Sequence, residues 1–327
     1  MTLVAAPRAP RRRGGTAVTW LLARVGGLII VLWAAATLTF IALRLIPGDP
    51  AEAVLGGPGS QASEEALAAA RAEYGLDQPV LVQYLMTLAR YVRLDFGTSY
   101  ALRQDVTSVI AEQLTNTLVL ACLSLALAWI LALAVAVWSA QSGRIASALG
   151  SALEVVAVAL PHFWLATSLV LLFSTTLGWL PPLSGRTAAG LVLPVITLAI
   201  PLAGFLGQVM RESLLNALSS PFALAAQMRG ETASGVVWRH ALRHAALPAI
   251  GLSGWAFGSL ISGAVVVETV FARPGLGRTL LSAVQSRDIP LVSGIVLVVA
   301  LAYSLVTVAT DILERLADPR LAQEATV

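Results

Sequence analysis

Six long stretches of this sequence contain no Asp, Glu, Lys or Arg, and this feature restricts most strongly what the chain can fold into. A helix needs about 20 apolar residues to cross a bilayer core of ~30 Å. Each stretch is about that long or longer, so each can span a membrane. The sequence therefore predicts an all-α integral membrane protein with six transmembrane helices. The six stretches are Val25–Leu43, Gln113–Gly143, Val155–Gly185, Thr187–Met210, His244–Val267 and Ile289–Thr310.

The charged residues exclude several classes of function. Only 12% of the 327 residues are charged, whereas soluble domains contain about 25%. All 21 basic residues are arginine. Without lysine the chain has neither a phosphate-loop nucleotide site nor Schiff-base chemistry. The arginines are scattered between apolar stretches, which argues against nucleic-acid binding. The single cysteine, Cys122, excludes an intrachain disulfide, and no metal site is predicted.

The arginines near the N-terminus predict the orientation in the membrane. Arg8, Arg11, Arg12, Arg13 and Arg24 precede or flank the first stretch, with no acidic residue among them. Because positive charges remain in the cytoplasm, the N-terminus is expected there, and six spans return the C-terminus to the same side. The first apolar stretch is longer than the core of a signal peptide, so it is expected to remain uncleaved.

This orientation divides the chain into segments. Residues 1–17 are predicted as a cytoplasmic N-terminal segment, 18–315 as the six-span domain and 316–327 as a cytoplasmic tail. Segments 139–153 and 211–247 are expected inside the cell. Segments 46–112, 178–190 and 268–288 are expected outside.

The long first outer loop, residues 46–112, is predicted to contain two helices. Ser63 is expected to cap the first helix, and Gly75 to end it. Pro79 suits the first position of the second helix. That helix is amphipathic, because apolar residues recur at helical spacing at Val82, Leu85, Leu88 and Val92. The loop is interpreted either as a structural lid or as a docking surface for an extracytoplasmic partner.

The inner loop, residues 211–247, contains the sharpest local pattern. Ser220 suits a helix cap, Pro221 the first helical position and Gly230 the residue after the end. The helix between them has about two turns, which is too short to be stable alone. It therefore needs a packing partner, which is either the chain's own bundle or another protein.

Parts of this inner loop resemble the Glu-Ala-Ala…Gly loop of ABC importer permeases. The resemblance rests on Ala225-Ala226, Gly230 and Leu247-Pro248, while Leu224 stands where that family has glutamate. Further segments resemble the dipeptide, oligopeptide and nickel branch of the family along nearly the whole chain, and the long first outer loop resembles its B-type subunit. These segments are Arg44–Pro50, Tyr74–Pro79, Val82–Leu85, Asp95–Ser99, Pro161–Trp164, Leu177–Pro181, Val266–Val270, Pro274–Gly277, Arg287-Asp288 and Asp318–Arg320.

The resemblance implies a transport subunit rather than an enzyme. A second, C-type permease chain would complete the translocation path, and one or two ABC ATPase chains would bind ATP and Mg²⁺, so no cofactor is expected in this chain. The inner helix would act as a coupling helix that docks on an ATPase, through Phe222, Ala225, Ala226, Gln227, Met228, Arg229 and Gly230. An extracytoplasmic solute-binding protein would dock on the outer loop, through Asp49, Asp77, Gln78 and Asp95.

The transported solute and its path are less sharply indicated. The resemblance implies import of di- or oligopeptides across the cell membrane, with nickel, glutathione and haem as alternatives. Polar residues within the spans are candidates to line the path, although hydrogen bonds between helices explain them equally well. These candidates are Asn116, His162, Gln208, Ser259 and Ser262.

Two other classes of membrane protein are alternatives to an ABC permease. An ion-coupled secondary carrier usually has an ionisable group near the middle of the bilayer, and only His162 is a candidate. Gly251–Gly254 matches the Gly-x-Ser-Gly motif of rhomboid intramembrane proteases, with Ser253 as nucleophile. A four-residue match in a helix rich in small residues is weak support for an enzyme.

Small residues and prolines within the spans also predict local geometry. Gly254, Gly258 and Ser262 recur every four residues and favour close helix packing, within this chain rather than with a second permease. Pro161, Pro194 and Pro201 each remove a backbone hydrogen bond and are candidates for kinks.

Overall fold

The computed structural model describes residues 16–45, 49–55, 62–185 and 187–317. In this part of the chain the fold is built from helices. Most of the predicted terminal segments, 1–17 and 316–327, lie outside the described residues, as do residues 46–48 and Asp318–Arg320. The helices are α1 (Thr16–Leu45), α2 (Pro50–Val54), α3 (Glu64–Glu73), α4 (Val80–Val92), α5 (Val106–Gln141), α6 (Gly143–Ala159), α7 (His162–Leu169), α8 (Ala189–Leu218), α9 (Pro221–Met228), α10 (Ala233–Val236), α11 (Leu242–Val270), α12 (Leu276–Gln285) and α13 (Ile289–Ala317).

The all-α membrane fold predicted from the sequence is confirmed. Among the described residues, α1, α5, α8, α11 and α13 are each long and apolar enough to cross a membrane. A sixth span results if the bent pair α6 and α7 is counted as one. The main core lies where α5, α8 and α11 meet, and it is filled by buried residues such as Leu120, Leu198, Leu206 and Phe257.

The third predicted span is not one straight helix. The helix that begins at Gly143 ends at Ala159, and α7 leaves it at an angle of 100°. Pro161 occupies the break and caps α7. A π-helical turn, Val170–Thr176, continues α7. By contrast, Pro194 and Pro201 lie inside the unbroken helix α8. Of the three prolines predicted as kinks, Pro161 is therefore the one at a sharp bend.

Segment 139–153, which is expected inside the cell, is almost entirely helical. One residue, Ser142, separates the end of α5 from the start of α6. Gly143 adopts a positive φ of 86°, which allows the chain to turn directly from one helix into the next. The third charge-free stretch began only at Val155, because Arg144 and Glu154 lie within α6 and each charge was treated as a boundary.

Helices α2, α3, α4 and α12, with the segments that join them to the spans, form what we call the outer layer. Ser63 caps α3 as predicted, since its hydroxyl accepts a hydrogen bond from the Ala66 amide at 3.3 Å. Gly75 follows the end of α3 with a φ of 64°. Pro79 is the capping residue of α4 rather than its first helical residue.

Helices α9 and α10 and a second π-helical turn, Val237–Ala241, form what we call the inner hairpin. This turn leads directly into α11, so the hairpin is continuous with a membrane-spanning helix. Val237, Ala241 and Ala245 pack against Leu214 and Ala217 at the inner end of α8. The hairpin is thus fixed to two spans at once.

The small-residue stripe on α11 packs within the chain, as predicted. A Cβ atom at Gly258 would lie 2.6 Å from the ring of Tyr303, and one at Gly254 would lie 2.8 Å from the Thr310 hydroxyl. Both contacts come from α13. The exposed Ser262 lies one turn further along this stripe.

Candidate functional site

The inner hairpin presents the first candidate surface, which is one side of α9. Pro221 stands at the first helical position and Ser220 at the cap. The helix ends in a Schellman motif: the Glu231 amide donates to the Ala226 carbonyl at 3.2 Å, and the Gly230 amide to the Gln227 carbonyl at 2.9 Å. Gly230 has a φ of 85°, which a residue with a side chain adopts only at a cost. This sequence therefore fixes both ends of a two-turn helix.

The two sides of α9 differ sharply in burial. Ala223 and Ala226 are fully buried and pack with Val236 of α10. On the opposite side, Met228 is 81% exposed and Leu224 is 56% exposed. Helix α9 is thus anchored through its buried side and presents an apolar patch, Leu224 and Met228, on its exposed side.

Six of the seven residues predicted to dock on an ATPase lie on the accessible side: Phe222, Ala225, Gln227, Met228, Arg229 and Gly230 are exposed. The buried residue is Ala226, whose side chain faces the chain's own hairpin. Its role in the structure is to let α9 approach α10 closely. Leu224 also belongs to the exposed side. It was not predicted as a docking residue, because it was considered only as a replacement of the family's glutamate.

A cluster of charged residues closes the hairpin. Glu231 Oε2 lies 2.8 Å from His240 Nε2, and Arg239 donates to Glu231 Oε1 at 3.4 Å. The His240 contact, ahead of Arg239, holds the pKa of Glu231 below its ordinary value. The cluster ties the start of α10 to the second π-helical turn.

A buried ion pair joins the bent span to α8. Arg211 donates from Nε to Glu154 Oε2 at 2.8 Å, and the Glu154 side chain is only 2% exposed. The helices cross closely here, since a Cβ at Gly204 would lie 2.6 Å from the Glu154 carbonyl. Sequence reasoning placed Glu154 near an interface but had no signal to pair residues 57 positions apart.

The second candidate site is a cavity at the bend between α6 and α7. It has a volume of about 280 Å³ and is lined by His162 and Ser259, together with Pro201 and Trp255. Ser259 and Trp255 lie near the middle of α11, so the cavity is at mid-span depth. The structure thus brings together two of the five predicted path residues.

The other three predicted path residues do not line this cavity. Asn116 donates from its side chain to the Glu112 carbonyl, one turn earlier on α5, at 3.4 Å. Gln208 is half-buried on α8, and Ser262 is exposed on α11.

Buried acidic residues organise the outer layer. Glu268, at the end of α11, is fully buried. It accepts hydrogen bonds from the Thr117 hydroxyl at 2.6 Å and the Arg278 amide at 3.0 Å. A Cβ at Gly275 would overlap the Glu268 carboxylate, and one at Gly277 would lie 2.6 Å from the backbone of α11. The two glycines of Pro274–Gly277 therefore make room for this carboxylate, a role that the sequence analysis did not predict.

Asp288 performs a similar function on the other side of the outer layer. It is fully buried, and it accepts hydrogen bonds from the Ala101 amide at 3.0 Å and the Leu291 amide at 3.2 Å. The Ser99 hydroxyl donates to it as well. One carboxylate thus caps α13 and holds the segment that precedes α5.

The four residues predicted to receive a binding protein fall into two pairs. Asp49 and Asp95 hold the loop together: Asp49 accepts from Arg71 Nε at 3.0 Å, and Asp95 pairs with Arg90 at 3.1 Å. The Ala51 amide, followed by Arg71, holds the pKa of Asp49 below its ordinary value.

Asp77 and Gln78 form the second pair and are both exposed between α3 and α4. They are the more accessible half of the predicted docking set.

Ser253 and His162 are the candidate residues of the two alternative classes, the rhomboid protease and the ion-coupled carrier. Ser253 donates its hydroxyl to the Ala249 carbonyl at 2.8 Å and accepts from Trp129 Nε1 at 3.2 Å, so it serves helix packing. His162 lines the cavity at the bend with Ser259 instead. Within the described residues no group of three or more His, Cys, Asp or Glu side chains is arranged to hold a metal ion.

Apolar spans around a bent helix, with an exposed hairpin at one end, define a multi-pass membrane protein. Comparison with known proteins assigns the family. The family described as binding-protein-dependent transport system inner membrane component matches residues 124–323, and the N-terminal component of the same systems matches residues 17–121. The chain belongs to this family, and it is a permease subunit of an ABC importer.

Several relatives match nearly the whole chain. A peptide transport system permease protein of Brucella suis is 36% identical over 312 residues, which covers 92% of this chain and 98% of the relative. The glutathione transport system permease protein of Salmonella typhimurium is 34% identical over 305 residues, which covers 93% of this chain and 99% of the relative. The resemblance identified from the sequence is confirmed.

Proposed function

We propose that this chain is the B-type permease of an ATP-driven importer of di- or oligopeptides. The relatives named as peptide transport permeases, matched over nearly their full length, support the substrate class. A C-type permease completes the translocation path, and both termini of this chain lie in the cytoplasm. The functional segments are the six-span domain 18–315, with the outer loop 46–112 and the inner loop 211–247, and the terminal segments 1–17 and 316–327.

The observation that carries the coupling mechanism is the two-sided burial of α9. A helix of eight residues is not stable alone, yet here its underside is anchored by Ala223 and Ala226 while Leu224 and Met228 stay exposed. Exposed apolar side chains on a fixed helix are suited to insertion into a groove of a partner. In this proposal the partner is an ABC ATPase, which binds ATP and Mg²⁺ and performs the hydrolysis.

Motion of the ATPase reaches the spans through the anchored side of the hairpin. Leu214 and Ala217 belong to α8, and Ala245 belongs to α11, so both spans share one packed cluster with the second π-helical turn. Packed clusters move as units or change between discrete arrangements rather than deform smoothly. A displacement of α9 is therefore passed to α8 and α11, whose middle turns line the cavity with His162 and Ser259.

On the outer side, the solute-binding protein docks on the exposed turn between α3 and α4. Asp77 and Gln78 supply polar groups there. Asp49 and Asp95 contribute by holding the loop in shape.

The test of coupling is uptake of a labelled dipeptide by cells that depend on this chain. Met228→Asp places a charge in the exposed apolar patch without touching the buried side, and we expect at least about a tenfold loss of uptake. Gly230→Asp should also block uptake, because it strains the end of α9. The matched control is Ser234→Asp, which adds the same charge to an exposed position of α10.

All three variants must be present in the membrane in normal amounts, which blotting of membrane fractions establishes. Normal uptake by both Met228→Asp and Gly230→Asp would overturn the docking assignment. Loss of uptake in Ser234→Asp as well would show general sensitivity of the hairpin to charge, and it would equally contradict a specific patch on α9.

Glutathione is the second candidate solute, because a relative of nearly full length is named for it. Parallel uptake assays distinguish the two: labelled dipeptide should enter cells that depend on this chain, whereas labelled glutathione should not. The reverse result would assign glutathione. Uptake of neither solute would leave the nickel and haem alternatives implied by the family.

A further inference from the structure

Two cavities between α1, α4 and α13 meet at Tyr91 and Phe96, which line both of them. The first, of about 210 Å³, lies beside the end of α1 and the start of α13 and includes Arg44 and Arg90 in its wall. The second, of about 370 Å³, lies deeper along the same helices and is lined by apolar side chains such as Trp33 and Leu301. The two cavities therefore adjoin across a shared wall, and we call the pair the groove, with a polar end and an apolar end.

The polar end is positively charged. Arg44 donates to the neutral side chain of Gln83, and its guanidinium lies 4.8 Å from the centre of the Phe40 ring. Arg90 is partly neutralised by Asp95. Two guanidinium groups and no carboxylate line this cavity among the described residues. Arginine forks bind phosphate oxygens well, so this end is complementary to a phosphate group.

The apolar end has the dimensions of an acyl chain. From Arg44 to Ile29, α1 runs 15 residues, or about 22 Å at the rise of an α-helix. Half the hydrocarbon core of a bilayer is about 15 Å thick. A molecule with a phosphate at Arg44 and a tail directed toward Ile29 would therefore span one leaflet.

Helix α1 also has little of its surface covered by the rest of the chain. Only 6% of its spanning window is buried, compared with 56% for α8. Ile29 is 60% exposed and Trp33 is 54% exposed. In a membrane, an exposed concave apolar surface contacts lipid. Here that surface adjoins a cationic cavity, which suits a lipid with an anionic headgroup.

We propose that this groove is a binding site for an anionic phospholipid. Its phosphate lies between Arg44 and Arg90, and one acyl chain lies along Trp33 and Leu301. The lipid belongs to the outer leaflet, given the proposed orientation. Because α1, α4 and α13 all border the groove, the bound lipid fastens the outer layer to the first and last spans.

The test uses the purified full chain in detergent with equal amounts of phosphatidylglycerol and phosphatidylcholine, and it counts bound lipids by native mass spectrometry. We expect phosphatidylglycerol to be retained in preference. Arg44→Ala should reduce this preference about tenfold, through loss of a charge-assisted contact. The matched control is Arg93→Ala, which removes an exposed arginine outside the groove, and its preference should be unchanged.

A second pair of variants tests the apolar end independently of charge. Leu301→Trp fills the groove and should lower retention of both lipids about tenfold. Leu305→Trp, on the same helix but 55% exposed and outside the groove, should not. Because this pair leaves both arginines in place, it decides the proposal even if Arg44→Ala fails to fold.

Three results would overturn the proposal. Unchanged retention in Leu301→Trp would place the lipid elsewhere. Inorganic phosphate that displaces the phospholipid at equal concentration would identify a free-anion site. Loss of bound phosphatidylglycerol on assembly with the second permease would show that a protein, not a lipid, covers the groove.

Discussion

The inner hairpin and the outer layer are both irregular attachments to the spans, yet they are held by different chemistry. The hairpin rests on small apolar residues, with Ala223, Ala226 and Val236 packed together. The outer layer is tied by buried carboxylates, Glu268 and Asp288, each bonded to more than one segment. The hairpin also has a charged cluster around Glu231, but this cluster is partly exposed, whereas the two carboxylates of the outer layer are fully buried.

This difference has a mechanical consequence. Charge-assisted hydrogen bonds are directional and costly to break when buried, so the outer layer is fixed relative to the ends of α11 and α13. Apolar packing between alanines has no directional requirement, so the hairpin can shift with its partner as long as α9 and α10 move together. In the proposed mechanism, the hairpin would move while the outer layer stays fixed.

The largest expected effect comes from breaking the outer network at Glu268. Glu268→Ala leaves the Thr117 hydroxyl and the Arg278 amide without their acceptor in a buried site. We expect a loss of about 3 kcal/mol in the free energy of unfolding, measured by equilibrium unfolding of the purified chain in micelles. Glu268→Gln keeps one acceptor oxygen and should lose less.

The matched control for this change is Glu73→Ala, which removes an exposed carboxylate at the end of α3. Its unfolding free energy should equal that of the unmodified chain. If Glu268→Ala were equally stable, the outer layer would not depend on its buried carboxylates and the contrast with the hairpin would disappear.

A smaller effect is expected from the packing that holds the hairpin. Ala226 is fully buried and its neighbour Ala225 is exposed, so the pair offers an internal comparison. Ala226→Leu overpacks the contact with α10 and should destabilise the hairpin by about 2 kcal/mol. Ala225→Leu should change this stability very little.

Hydrogen exchange of the amides in α9 measures this local stability directly. Faster exchange in Ala226→Leu, with α5 and α8 unchanged, is the expected result. Equal exchange rates in the two leucine variants would mean that the underside of α9 is not held by close packing.

The sequence predicted the spans better than the connections between them, for a physical reason. A charge-free stretch reports directly on the solvent, because lipid excludes Asp, Glu and Arg from exposed positions. The same criterion treats every charge as a boundary. It therefore could not detect that α6 contains the buried Glu154 or that α8 runs past Arg211 to Leu218.

The limits of α9 were predictable because local signals define them. Ser220, Pro221 and Gly230 act on neighbouring backbone groups, and the structure places each where the pattern requires. Glu268 was not predicted as the centre of a network, because its partners Thr117 and Arg278 are brought to it by the fold. The only local trace is a pair of glycines, Gly275 and Gly277, shortly after the end of a span.

The smallest expected effect concerns the charged cluster that closes the hairpin. His240, ahead of Arg239, lowers the pKa of Glu231 from its ordinary value of 4.5. A lowered carboxylate pKa contributes stability that is complete above pH 4.5 and disappears as the pH falls through the lower value of the folded chain. Because the cluster is open to solvent, we expect a local change rather than unfolding.

Trp238 lies within the second π-helical turn, immediately before Arg239 and His240, which contact Glu231. It is 55% exposed, so it can report on this cluster. Its signal is the difference in fluorescence between the unmodified chain and Trp238→Phe. We expect this signal to change as the pH falls below 4.5. Glu231→Gln should remove the transition, while Glu73→Gln should keep it. A transition that survives in Glu231→Gln would mean that a group other than Glu231 causes the change, and it would contradict the role of this carboxylate in closing the hairpin.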